Sequence, residues 1–525
     1  MTAARASSLA DLQRIDSLTT ELPGDASTEN VTRQVNGAFF TFVQPTPADG
    51  DPSLLAASPG VAALLGLDAA ALAEPEFLAA MSGKAVPPGW RPWAQCYGGH
   101  QFGNWAGQLG DGRAISLAEV QGRDSPLELQ LKGAGVTPYS RRADGRAVLR
   151  SSVREFVASE AMAALGVPTT RALALVATGD GVVRDMFYDG RARMEPGAVV
   201  CRISRSFVRF GTFQLPASRG DDALVQKLVD YALRHCYPHL SGPAAMLREV
   251  CERTARLAAG WQAVGFVHGV LNTDNCSILG ETIDYGPYGW MEAYDPQFTP
   301  NTTDMPGLRY CYAQQPHVLL WNVAQLANAL LSAGILPVEE AQAAIDAYGP
   351  ALQQEYSARF AAKLGMKKLS DGLLRDFMAL LARDKLDFTR AFRSLVRVPA
   401  AVPGDTSEAD LLAPLAGVLP ADMARERSEA WVQWVGSYRS ALAAEGMDPT
   451  ERTALQNGAN PMYVPRNYLL QLAIEGAEKG DLGYLNRLVE CLKRPYEEQP
   501  GCEAFDAAAP AWALRPGVSC LSCSS

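Results

Sequence analysis

Asp274, Asn275 and Asp284 place two carboxylates and an amide oxygen within one stretch, HGVLNTDNCSILGETIDYG, residues 268–286. Hard oxygen donors of this kind suit Mg2+, which takes few protein ligands and keeps room for water or phosphate. Asp284 comes nine residues after Asn275. The intervening SILGETI has strand-like ends around a Gly-Glu turn, so a hairpin is expected to return Asp284 beside Asn275 as a second ligand. Asp274 is then the nearby carboxylate left to accept a proton, a role that contributes about 10²–10⁴-fold in rate. The plain alternative is a hairpin with polar turn residues, and the combined spacing argues against it.

The same stretch keeps the register of a kinase catalytic loop, H-R-D-x-x-x-x-N followed by D-F-G. His268, Asn275 and Asp284-Tyr285-Gly286 fall in step, but Val270 stands where the proton acceptor should. Valine cannot take a proton. A nucleotide lying the opposite way round would bring its α-phosphate to the acceptor hydroxyl. Attack there transfers a nucleoside monophosphate and expels pyrophosphate, with Asp274 as the replacement base.

Phosphate-binding chemistry has several candidates. Gly107, Gly110, Gly112 and Arg113 form GxxGxGR before a strand, a pattern that brings backbone N–H groups and a guanidinium to phosphate, or a tight turn. Lys132 ends the alternating strand LELQLK, and Glu155 lies on a helix face with Val148, Ser152, Ser159 and Met162. The two could form an ion pair across a nucleotide cleft, or both could be solvated. Arg141, Arg142, Arg146, Arg150 and Arg154 crowd one basic segment with Asp144 as its one acid. Such a cluster suits phosphate or an acidic partner, although surface pairing would serve equally. Arg202 and Arg209 could grip a polyphosphate, or Arg202 could sit on a solvated edge strand.

The elements that must carry these residues follow from periodicity. Strands are expected at 114–121, 127–132, 171–178, 182–188 and 198–204, and a helix at about 147–165, stopped by Gly166 and Pro168. After residue 220 helical periods dominate, and PAAVPGDTSEAD, residues 399–410, reads as a linker. The 525 residues carry 48% hydrophobic and 20% charged residues, enough for a large core. A net charge of −10 argues against nucleic acid and anionic membrane as partners. Ten scattered cysteines do not form a disulfide framework in a chain this long. The N-terminal residues lack the apolar core of a signal peptide, and Asn322, Gln325 and Asn328 interrupt the longest apolar run. A cytoplasmic protein is expected.

Long stretches closely resemble the selenoprotein O family of pseudokinases, the YdiU-like protein adenylyltransferases. They include YGGHQFGNWAGQLGDGR, LKGAGVTPYSRRADGRAVLRSSVREFVASEAM, LGVPTTRAL, RFGTF, GVLNTDNCSILGETIDYGPYGWMEAYDP and NPMYVPRNYLLQ. The resemblance implies an α+β, protein-kinase-like two-lobed fold with additional C-terminal helices. It divides the chain into an N-terminal extension at 1–35, a strand-rich lobe at 36–215, a helical lobe at 216–398 and a C-terminal helical region at 399–525. It implies transfer of AMP from flipped ATP to Ser, Thr or Tyr hydroxyls of proteins, self-modification included. By motif, Gly110, Gly112, Arg113, Lys132, Asp144, Gly145, Arg202, Arg209 and Asp284 match nucleotide-binding positions, and Glu155 matches the partner of the lysine. Asp274 matches the proton acceptor, and Asn275 and Asp284 the Mg2+ ligands. UMP transfer from UTP with Mn2+, ordinary phosphoryl transfer and a non-catalytic nucleotide-binding scaffold stay open as alternatives. Arg205 stands where the family pattern leads one to expect proline. The family's redox-active C-terminal pair corresponds here to Cys520 and Cys523, a candidate reversible disulfide.

Overall fold

The computed structural model describes residues 6–401, 407–420 and 422–522. Its first half is built on strands β1 (Phe40–Phe42), β2 (Ser53–Ala57), β3 (Trp93–Gln95), β4 (Gly98–Gln101), β5 (Asn104–Gln108), β6 (Ala114–Gln121), β7 (Pro126–Lys132), β8 (Ala147–Val148), β9 (Arg171–Arg184) and β10 (Arg193–Ser204). Eight of them form one antiparallel sheet in the order β1-β3-β6-β7-β10-β9-β2, with β8 paired to β10. β4 and β5 make a separate hairpin.

Alternation along β7 explains how the sheet presents chemistry. Leu129 and Leu131 face a hydrophobic cluster with Leu117, Val120 and Phe77. The intervening Glu128, Gln130 and Lys132 take the opposite face, as a period of two requires. That face is covered as well, so all three polar side chains are buried. Antiparallel pairing sets Arg202 of β10 opposite Gln130 and Val200 opposite Lys132. The helix Leu149–Ala164 packs across β9 and β10 and carries Glu155 toward Lys132.

Helices dominate the second half. In Pro243–Val264, Met246, Leu247, Val250, Cys251, Thr254, Ala255 and Ala258 are buried at helical spacing, and Gly265 ends the helix with φ 71°. The 268–286 segment follows, flanked by the short pair β11 (Phe266–Val267) and β12 (Gly289–Trp290). Helices Asn467–Glu478 and Gly483–Leu492 return to pack against Leu149–Ala164. One hydrophobic core runs from Phe39 and Phe156 through Trp261 to Leu488 and Val518. The architecture is α+β and kinase-like, with a sheet-based lobe, a helical lobe and added C-terminal helices. Among the described residues, no helix is long and apolar enough to cross a membrane.

Local expectations divide. Strands at 114–121 and within 126–132 appear, and the helix begins at Leu149. The expected strand at 182–188 stops at Arg184, where it continues β9. The expected 277–283 hairpin does not pair with itself. Ser277 bridges Arg209 and Thr282 bridges Thr169 instead, because tertiary partners satisfy those backbone groups. Residues 6–35 are bound into the sheet-based lobe: Leu9 and Leu12 are buried, and Ser17 donates to Glu119 Oε2 at 2.6 Å. Part of the linker-like segment, 402–406, and Cys523 lie outside the described residues, so the Cys520–Cys523 pairing does too.

Candidate active site

A cleft of about 830 Å3 lies between the sheet and the helical half. Gly110, Gly112, Arg113, Lys132, Asp144, Gly145, Arg202, Arg209, Asp274, Asn275 and Asp284 all line it. Sites for drug-sized ligands and cofactors span roughly 300–1,000 Å3, so a nucleotide fits this volume. Of the residues matched to nucleotide, metal or proton transfer, Glu155 stays behind the lining, 1% exposed, and Gly107 of the glycine pattern lies outside it, in β5.

Glu155 nevertheless organises the cleft. Lys132 Nζ donates to its Oε2 at 2.5 Å, and Arg202 Nη1 donates to its Oε1 at 3.0 Å. Arg202 also gives Nε and Nη2 to Gln130 Oε1, at 2.9 and 2.7 Å. Its Nη1 bonds Asp284 Oδ1, and Arg209 Nη1 bonds Asp284 Oδ2. Lys132 Nζ stands 3.8 Å from the same carboxylate. Burial alone would raise Asp284, but the charges of Arg202, Arg209 and Lys132 outweigh it and hold the carboxyl well below its ordinary range. Asp284 has φ 59°, a left-handed conformation uncommon outside glycine and enriched for aspartate.

Asp274 meets the same cluster from the other side. Arg209 Nη1 donates to its backbone carbonyl at 2.8 Å. Gln101 Nε2 donates to Asp274 Oδ2 at 3.4 Å, while Oδ1 is buried with no hydrogen-bond partner among the described residues. Burial raises the Asp274 carboxyl to about 6, with Arg209 pulling the other way. A carboxylate of that basicity is charged at neutral pH and close to the operating range of a general base. Asn275 spends its amide N–H on the Val270 carbonyl at 3.0 Å, which leaves its amide oxygen as the atom for a cation. Among the described residues, no group of three or more His, Cys, Asp or Glu side chains is disposed to hold a metal ion. Asn275 and Asp284 both line the cleft with hard oxygens of the class a divalent cation takes, and Arg202 and Arg209 hold the two Asp284 oxygens.

The glycine-rich loop at 110–113 is shaped by close approach. A Cβ on Gly110 would lie 2.5 Å from the Tyr139 ring, and Gly110 has φ 82°. Asp144 holds Arg184 with two bonds of 2.7 and 2.8 Å, and both face the cleft. The basic segment splits: Arg141, Arg142 and Arg146 line the cleft, whereas Arg150 pairs with Glu195 and Arg154 donates to the Tyr288 carbonyl at 2.5 Å. Arg205 points away, with Nη2 3.5 Å from the His235 carbonyl.

Sequence reasoning passed over several cleft residues. Asp111, buried between Gly110 and Gly112, lies 3.5 Å from Arg209 Nη2 and accepts the Tyr97 hydroxyl at 3.1 Å. Its LGDG context reads as turn chemistry, which hides it. Gln130 was legible: it shares the face of Lys132 two residues earlier on an alternating strand. Arg184 and Gln101 carry no local signal, because their partners are distant in sequence.

The family model for protein adenylyltransferase SelO matches residues 25–493. The chain is 50% identical over 517 residues to the protein nucleotidyltransferase YdiU of Tolumonas auensis, covering 96% of this chain and 98% of that protein. It is 50% identical over 521 residues to the YdiU of Aromatoleum aromaticum, with coverage of 96% and 98%. Against the YdiU of an Azoarcus species it is 51% identical over 515 residues, again covering 96% and 98%.

Proposed function

The chain belongs to the SelO family of protein adenylyltransferases and is a nucleotidyltransferase, and from that premise we propose that it transfers AMP from ATP to Ser, Thr or Tyr hydroxyls of proteins, itself included. ATP lies with its polyphosphate tail toward Arg202 and Arg209 and its α-phosphate toward Asp274. The observation that carries this reading is Asp274: a buried carboxylate with one oxygen unpartnered, placed in the cleft while Val270 occupies the usual base position.

The acceptor O–H gives its proton to Asp274 as its oxygen attacks the α-phosphorus. The bond from that phosphorus to the bridging oxygen breaks, and pyrophosphate leaves with the electron pair. Lys132, Arg202 and Arg209 stabilise the charge that gathers on the leaving group, aided by Arg113 and the backbone N–H groups around Gly110 and Gly112. Glu155 and Gln130 keep Lys132 and Arg202 extended toward the cleft. Asn275 and Asp284 would hold Mg2+, or Mn2+, which when bound neutralises phosphate charge. A cytoplasmic setting, where ATP is abundant, suits this chemistry.

The reading is tested by incubating the protein with Mg2+ and ATP labelled on either the α- or the γ-phosphate, with a parallel arm of α-labelled UTP and Mn2+. Retention of the α label on protein, with pyrophosphate released, is expected. Incorporation of the γ label replaces the reading with ordinary phosphoryl transfer. Binding without incorporation replaces it with a scaffold, and a preference for UTP changes the nucleotide.

A further inference from the structure

The segment GGHQFGNWAGQ, residues 98–108, runs straight into the nucleotide loop and shares its glycine-rich composition. Its contacts belong elsewhere. β4 packs on the helix Phe210–Ser218 and on residues 273–275. A Cβ on Gly99 would lie 2.5 Å from Asp274 Oδ1, and a Cβ on Gly211 would lie 2.0 Å from the Gly98 carbonyl. These glycines exist to let the hairpin and the proton acceptor approach each other.

Three consecutive residues then donate to the catalytic segment. His100 N gives a hydrogen bond to Thr273 Oγ1 at 2.7 Å, and Thr273 in turn donates to Gln214. Gln101 Nε2 reaches Asp274 Oδ2. Phe102 N donates to the Tyr310 hydroxyl at 2.8 Å, which itself donates to Asn272 Oδ1 at 2.7 Å. The turn is formed by Phe102 at φ 50° and Gly103 at φ 82°. Primed two-residue turns favour Asn or Gly at the first of these positions. A phenylalanine there is strained, and such strain persists only where the surroundings over-determine it. The surroundings here are Tyr310, whose ring centroid lies 5.0 Å from that of Phe102, and the segment Asn272–Asp274.

We propose that the β4–β5 hairpin is a positioning element for the proton acceptor, and that Gln101 is the side chain that orients Asp274 by occupying Oδ2 and leaving Oδ1 for the acceptor hydroxyl. The proposal deepens the adenylyl-transfer reading and rests on it. Gln101 acts through Asp274 and takes no part itself in proton or adenylyl transfer.

The test uses the full-length protein. Gln101→Met keeps the length of the side chain and removes the donor. The expected result is a fall in kcat for AMP transfer of about 10–100-fold, the scale of a misplaced reacting group, with KM for MgATP and Tm unchanged. Gly99→Ala reaches the same carboxylate from the other side and should give the same split, kcat lowered and nucleotide KM kept. A Gln101→Met enzyme with wild-type kcat overturns the proposal. So does a rise in KM for MgATP with kcat unchanged, which would make Gln101 a nucleotide contact. Absence of α-label transfer by the wild-type protein overturns the underlying reading instead, before either variant is measured.

Discussion

In the cleft, Arg202, Arg209 and Lys132 converge on Asp284, whereas in the C-terminal half, among the described residues, Arg466 alone pairs with both Glu292 and Asp387. Both clusters bury their arginines: Arg202 and Arg466 are each 1% exposed. They leave their carboxylates in opposite conditions. Asp284 is held well below its ordinary range because three cations outweigh burial. Glu292 is raised, because burial outweighs its one arginine and Asp387 adds repulsion. Glu155 and Asp111 share those three cations, so the cluster itself is balanced, but on the cleft wall Arg113, Arg141, Arg142 and Arg146 leave positive charge for a second anion such as a polyphosphate. An arginine shared between two acids leaves none. Burial and short ion pairs are therefore common to a site and to a structural clamp, and the sign of the excess charge separates them.

That distinction can be broken by mutation. Asp284→Ala should lower AMP transfer by about 10³-fold or more, since it removes a proposed metal ligand and unbalances the groups proposed to stabilise the leaving group. Its Tm should change less than its rate, which calorimetry alongside label incorporation would check. Arg466→Met should do the reverse. Glu292 and Asp387, partly buried, would lose their shared cation, so Tm should fall, by less than the roughly 3–5 kcal/mol of a fully buried pair, and the rate per folded molecule should stay near wild type. Loss of transfer by Arg466→Met at an unchanged Tm would erase the contrast. Asp274→Asn should lower kcat by at least about 10²-fold, the low end for a general base, while nucleotide titration gives an unchanged MgATP affinity.

A buried acid with no cation partner among the described residues sharpens the series. Glu128 is 3% exposed, bonded by the hydroxyl of Ser116 and the amide of Gln95, and burial pushes it up to about 8. Between about pH 5 and 8 the folded protein holds a proton that the unfolded chain has released. Stability therefore falls as pH rises through that window, by at most about 1.4 kcal/mol per pH unit. Glu128→Gln should flatten the slope, so its Tm relative to wild type should rise with pH. Parallel Tm–pH curves for the two proteins would count against a buried, protonated Glu128.

Much of the site was readable along the chain. His268, Val270, Asn275 and Asp284 stand in a fixed register, and register is a local property. Alternation in LELQLK put Lys132 and Gln130 on one face, and helical spacing put Glu155 on a face with small and apolar neighbours. The arginines were readable as a cluster but not as individuals. Arg150 and Arg154 share the basic segment with Arg141 and Arg142, yet they turn to Glu195 and Tyr288 because the helix that begins at Leu149 rotates them away from the cleft. Glycine-rich composition misled in the same way: Gly110 and Gly112 line the cleft, whereas Gly107 belongs to the β4–β5 hairpin, whose β4 packs on residues 273–275.

By itself, then, the sequence determined which chemical groups are present, their spacing, and the strand and helix periods that give each a face. Tertiary structure decided the pairing. Asp284 meets an arginine 82 residues away, and Gln101 reaches a carboxylate 173 residues away. Such partners are chosen by the closing of the sheet against the helices, where burial makes every unpaired charge costly and so selects one arrangement.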